Sequence, residues 1–84
     1  MPEIEIYTLP GCGYCTHAKR LLNNKGLPFV EYDVYQQPQI VSQLHARTNS
    51  RTYPQIFIDK QSVGGFTELL ALEKAGLMPA GPIT

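Results

Sequence analysis

Tryptophan is absent, cysteine occurs only twice, and neither sign of charge is in excess, with seven Lys plus Arg offsetting seven Asp plus Glu among 84 residues. A balanced surface lacks the field needed to hold a phosphate backbone or an anionic lipid, which argues against nucleic acid and membrane partners. Apolar runs never exceed a few residues, too short for a membrane-crossing helix. The opening Met-Pro-Glu-Ile-Glu has neither a basic region nor an apolar secretory segment, so the expectation is a soluble, unexported, cytoplasmic protein. What is present is enough for a core. Hydrophobic residues make up 43% and charged residues 17%, the latter below the usual quarter or so, which favours a compact globule over disorder. The length suits one domain over residues 1–84, with a frayed tail at 79–84.

The two cysteines stand together as Cys12-Gly13-Tyr14-Cys15, too close in sequence to staple distant parts of a fold. They serve chemistry or metal. A tetrahedral zinc needs four ligands, and the only imidazoles, His17 and His45, are spaced from the pair in no finger pattern, which disfavours a structural zinc site.

Residues Glu3 to Leu9 alternate, with Ile4 and Ile6 on one face and Glu3, Glu5 and Tyr7 on the other, and stop at Pro10-Gly11, as a strand does. From Cys12 to Lys25 the residues Cys15, Ala18, Leu21 and Leu22 recur at helical spacing, and Gly26 sits where a C-terminal cap belongs. Pro28 to Val34 is rich in aromatic and β-branched residues and reads as a second strand, parallel to the first across a right-handed crossover. Gln36-Gln37-Pro38 opens a helical stretch with Ile40, Val41 and Leu44 on one face, ending near Arg47. Gln55 to Asp59 is the most β-like run, and a turn around Lys60-Gln61 leads into Ser62-Val63, making a hairpin before Gly64-Gly65. A last helix runs from Thr67, its expected N-cap, to Ala75, with Glu68 favourable at the positive end and Gly76 as the stop.

The order βαβ, α, ββα, with Cys-x-x-Cys at the first strand-to-helix turn, resembles the thioredoxin fold: a four-stranded mixed sheet flanked by three helices. Three motifs narrow the resemblance. Ile6-Tyr7-Thr8 before the cysteine pair, Arg51-Thr52-Tyr53-Pro54-Gln55-Ile56-Phe57-Ile58, and Val63-Gly64-Gly65 followed by a Leu-rich helix together resemble a small bacterial dithiol glutaredoxin over residues 3 to about 78. The resemblance implies a glutathione-dependent reductase of protein–glutathione and small disulfides, with glutathione as co-substrate and glutathionylated or disulfide-bonded proteins as partners. A monomer is expected.

The thiolate is the nucleophilic form of cysteine. Cys12 lies at a helix N-terminus, where the positive end of the dipole and unpaired amides, those of Tyr14 and Cys15 in particular, favour the anion. Cys15, one turn deeper on the same face, is expected to be less exposed, either as the resolving thiol or as a small packed core residue.

Other site residues come from the resemblance. It implies a cis Tyr53-Pro54 bond facing the cysteines, and a Tyr53 backbone that pairs with the cysteinyl part of glutathione like an added strand. Tyr53 stands where Val is commoner. Gly65 and the amides of Phe66, Thr67 and Glu68 would receive the γ-glutamyl carboxylate, unless the Gly-Gly turn is a plain helix cap; relatives usually have Asp-Asp or Ser-Asp at 67–68. Leu9 replaces a Lys that in relatives reaches the glycyl carboxylate, so Arg51, beside Thr52, is either its substitute or an ordinary solvated charge. Tyr14 either covers the thiolate or is a plain surface aromatic, and His17 reads as an exposed helical residue.

Two rivals stand beside this reading. Gly13, where Pro is usual, suits a [2Fe-2S] carrier in which two chains each give Cys12 and two glutathiones complete the four thiolates. The other is a redoxin fed by thioredoxin reductase and serving ribonucleotide reductase, which would not need the Gly-Gly anion site.

Overall fold

The computed structural model describes residues 2–79, so most of the tail expected to fray lies outside the described residues. The elements are β1 (Ile4–Thr8), α1 (Gly13–Asn24), β2 (Val30–Asp33), a 3-10 turn (Pro38–Ile40) running into α2 (Val41–Arg47), β3 (Gln55–Ile58), β4 (Gln61–Gly64) and α3 (Phe66–Lys74). The four strands form one sheet in the order β2-β1-β3-β4. β1 is parallel to β2 and antiparallel to β3, and β3 is antiparallel to β4, giving the mixed sheet of the thioredoxin fold.

Both faces of the central strands are covered, which is why β1 and β3 are buried almost throughout. On one face Ile4, Ile6 and Ile56 pack against Ala18 and Leu22 of α1 and Leu69 of α3. On the other, Tyr7 and Phe57 pack against Val34 and Leu44, the latter from α2. Tyr7 therefore points away from Ile6 yet is as dry as a core residue, its phenol ring edge-on to Phe57. Arg47, the last residue of α2, closes this face: its guanidinium grips Glu5 with two 2.9 Å bonds, donates to the Tyr7 hydroxyl at 3.0 Å, and lies 3.9 Å above the Phe57 ring.

Several boundaries differ from the sequence expectations: β2 is Val30–Asp33 rather than Pro28 to Val34, and two other shifts have a visible cause. The hairpin turn is Asp59-Lys60, not Lys60-Gln61: both residues have positive φ, 49° and 69°, as a two-residue loop matched to strand twist requires, and Gln61 already pairs with Ile58. The Asp59 amide donates to the Glu3 carbonyl at 2.7 Å and its carboxylate accepts from the Glu3 amide at 2.9 Å, which ties the turn to the start of β1. The last helix starts earlier too. Its N-cap is Gly65, not Thr67, because the Glu68 carboxylate folds back to accept the Gly65 N–H at 2.7 Å and extends the helical turn by two residues.

Candidate active site

The site lies where β1 ends and α1 begins. Cys12 is the N-cap of α1, with extended backbone (φ −86°, ψ 110°), and its Sγ accepts the N–H of Cys15 at 3.1 Å. A sulfur at this position faces the open amides of the first helical turn, as expected from the sequence, although Cys15 rather than Tyr14 is the amide seen to donate. Cys12 is partly exposed and Cys15 is buried, and the two are free thiols. Burial, and secondarily the contact with the Cys12 sulfur, push the Cys15 thiol up to about 12, so it stays protonated at neutral pH.

Tyr53-Pro54 is cis, as the resemblance implied, and it brings the start of β3 to the cysteine turn. The Cys12 Sγ lies 3.7 Å from the Tyr53 carbonyl, which accepts from the thiol. Pro54 in turn touches the Gly-Gly turn: a Cβ on Gly65 would meet the Pro54 carbonyl at 3.3 Å. Gly64 has φ +114°, and a Cβ there would come within 2.8 Å of the Glu68 carboxylate. Phe66, first residue of α3, stacks on Tyr14 with ring centroids 6.1 Å apart and also meets the exposed His17 ring at 5.7 Å. Cys12, Tyr14, Tyr53, Pro54, Gly65 and Phe66 thus form a continuous rim drawn from α1, the loop before β3, and the start of α3.

The remaining candidates sit differently. Glu68 is engaged with Gly65, so its carboxylate occupies the end of α3 itself, while Thr67 is exposed in the first turn. Arg51 is exposed, with Nη1 3.4 Å from the carbonyls of Thr48 and Ser50 in its own loop. Thr52 is exposed, but its carbonyl turns inward to the side chain of Gln55, a residue read from the sequence only as the start of a strand. A Gln opening an otherwise apolar run was the available signal. A separate groove of about 770 Å³, lined by residues including Ile58, Ser62, Leu72 and Leu77, contains none of the rim residues.

Among the described residues no cluster of three or more His, Cys, Asp or Glu is arranged to hold a metal ion. With Cys15 buried, one chain offers one accessible thiolate, and a [2Fe-2S] centre, which needs four, does not fit a single chain.

A partly exposed helix-capping cysteine, a buried partner three residues on, and a cis-proline loop against the pair define a thiol–disulfide oxidoreductase of the thioredoxin fold. Residues 4–63 match the glutaredoxin family model. The chain is 42% identical over 80 residues to a glutaredoxin of Pseudomonas aeruginosa, covering 95% of each, and 41% identical over 76 residues to glutaredoxin 3 of Escherichia coli, covering 90% of this chain and 92% of the other. Among solved structures it resembles a buckwheat glutaredoxin–glutathione complex with a TM-score of 0.80 at 25% identity, covering 88% of this chain and 70% of that one. The chain belongs to the glutaredoxin family.

Proposed function

We propose that the protein reduces protein–glutathione mixed disulfides and small disulfides with electrons from glutathione, in the cytoplasm and as a monomer. The observation that carries this reading is the Cys12 sulfur held between the Cys15 amide at 3.1 Å and the Tyr53 carbonyl at 3.7 Å. The first stabilises a thiolate, and the second marks a strip of backbone beside it on which an extended peptide can pair. The buckwheat relative, crystallised with glutathione, supports the same ligand.

In the reaction the Cys12 thiolate attacks the glutathionyl sulfur of the substrate, forming a Cys12–glutathione disulfide and releasing the protein thiolate, which takes up a proton. A second glutathione thiolate then attacks the glutathionyl sulfur on Cys12. Glutathione disulfide leaves and the Cys12 thiolate returns. One free glutathione is consumed per turnover: its sulfur joins the glutathionyl group that arrived on the substrate to form glutathione disulfide, and its proton is balanced by the one taken up on the released protein thiol. Tyr53 pairs with the cysteinyl segment through its backbone, flanked by Thr52, Pro54 and Tyr14. Gly65 and the amides of Phe66, Thr67 and Glu68 receive the γ-glutamyl end, for which Glu68 must release Gly65 or share the helix terminus. Arg51 leaves its own loop carbonyls to meet the glycyl carboxylate.

The test is anaerobic purification followed by a visible spectrum and two coupled assays on one sample, with a glutathionylated peptide as substrate. Turnover with glutathione and glutathione reductase in colourless monomeric protein is the expected result. Turnover only with thioredoxin reductase, or a coloured dimer inactive towards the peptide, would overturn it and point to the ribonucleotide reductase or cluster-carrier role.

A further inference from the structure

The side chain of Gln55 is buried to 1% exposure at the head of β3, directly after the cis bond. Its Nε2 lies 2.6 Å from the Thr52 carbonyl oxygen, 3.0 Å from the Ser50 hydroxyl and 3.2 Å from the Thr52 hydroxyl. All three acceptors belong to the loop that delivers Tyr53. The amide's orientation is fixed by the first contact, because the opposite setting would press two carbonyl oxygens together. Both N–H groups therefore serve the loop, whereas Oε1 is buried with no hydrogen-bond partner among the described residues. An apolar side chain of the same size would bury no orphan Oε1 but would take the donor from the Thr52 carbonyl, so the donors are what the position uses.

The geometry of the next peptide shows what they do. The Thr52–Tyr53 bond is trans and planar, so its N–H points opposite to its C=O. Drawing the Thr52 carbonyl inward to Gln55 turns the Tyr53 N–H outward, and the Tyr53 carbonyl is the group 3.7 Å from Cys12. We infer that Gln55 is a positioning residue for substrate: it sets the Tyr53 backbone in the orientation that pairs with the peptide carried on Cys12. This rests on the glutathione reading above.

Two near-isosteric variants test it. Gln55→Leu removes the donors. Gln55→Glu removes them when ionised and returns one O–H when protonated. With a glutathionylated peptide, Gln55→Leu is expected to raise KM about fivefold, the worth of one hydrogen bond, with kcat within about twofold of wild type. The KM penalty of Gln55→Glu should shrink between pH 8 and pH 5, while that of Gln55→Leu stays level. Tyr7, which faces Gln55 across the ladder with its phenol bonded to Arg47, and Arg51 in the loop are the same in all three proteins, so their contribution cancels in the ratio. The Tyr53 amide resonance, recorded without ligand, should move in both variants. A lowered melting temperature with unchanged KM, a pH-independent penalty in Gln55→Glu, or an unmoved Tyr53 amide overturns the inference. Failure of the wild type to turn over the peptide overturns the glutathione reading instead, and the Tyr53 resonance then decides the role of Gln55 alone.

Discussion

The backbone N–H of Cys15 donates to the Cys12 Sγ across 3.1 Å, so the second cysteine supports the first through its main chain while its own thiol is buried at 2% exposure. The two cysteines are thus separable by mutation. Cys12→Ser should abolish disulfide reduction, since serine is no nucleophile here, whereas Cys15→Ser keeps the supporting amide and should retain reduction of a glutathionylated peptide. Steady-state rates of both variants give the answer, and equal loss in the two would reverse the assignment.

Native protein treated with iodoacetamide at pH 7 is expected to gain one adduct, on Cys12, and a second only in denaturant. Burial keeps the Cys15 thiol at about 12, so raising the pH to 9 should leave it unlabelled in the fold. Intact mass followed by peptide mapping reads this directly. A second adduct appearing at pH 9 without unfolding would contradict the burial argument.

The hydrogen bonds from Arg47 hold the Glu5 carboxyl below its ordinary value of 4.5. A depressed carboxyl means that the unfolded chain binds the proton first, so this pair adds stability above about pH 4.5 and loses it as pH falls through the folded value. Arg47→Leu should therefore cost about 2 kcal/mol at pH 7 and progressively less as the pH falls below 4.5 towards 3, the contacts with Tyr7 and Phe57 remaining. Urea unfolding of both proteins at the two pH values checks it, and an equal cost at both would assign Arg47 to packing alone.

Gly64→Ala places a side chain at φ +114° and drives it to 2.8 Å from the Glu68 carboxylate. Strain and the displaced cap together should lower stability by about 2 kcal/mol, roughly 10 °C in Tm for a chain of this size. Glu68→Ala in the same background relieves the clash but not the backbone strain, so calorimetry should show partial recovery.

Element order and the place of the cysteine pair were legible because they depend on local periodicity: of Cys15, Ala18, Leu21 and Leu22, which spacing alone puts on the inner face of α1, all but the half-buried Leu21 are its buried residues. What escaped depends on partners far away in sequence or on side chains that return to the backbone. Glu68 was read as a dipole partner of a helix beginning at Thr67, and its return to Gly65 moves the start. Arg47 meets Glu5 only once α2 has crossed the sheet, 42 residues later in the chain, and no local pattern reports that. Gln55 looked like any strand residue until the loop it holds was present. At the rim, the cis Tyr53-Pro54 bond and the neighbourhood of Gly65 followed from motif resemblance, whereas the Tyr14–Phe66 stack bridges two helices that no motif joins.

The Cys12 sulfur meets two main-chain groups, the amide of residue 15, which donates to it, and the carbonyl of residue 53, which accepts only from the protonated thiol, and among the described residues no other side chain is hydrogen-bonded to it. Main-chain groups survive nearly every substitution, so the reactive centre and the choice of what reaches it are inherited separately. Replacements at Tyr14, Tyr53 and Phe66 can reshape the approach to the sulfur while the attacking atom keeps its setting. Natural variation or directed selection confined to those three positions can therefore redirect the protein to new disulfides without having to rediscover the nucleophile.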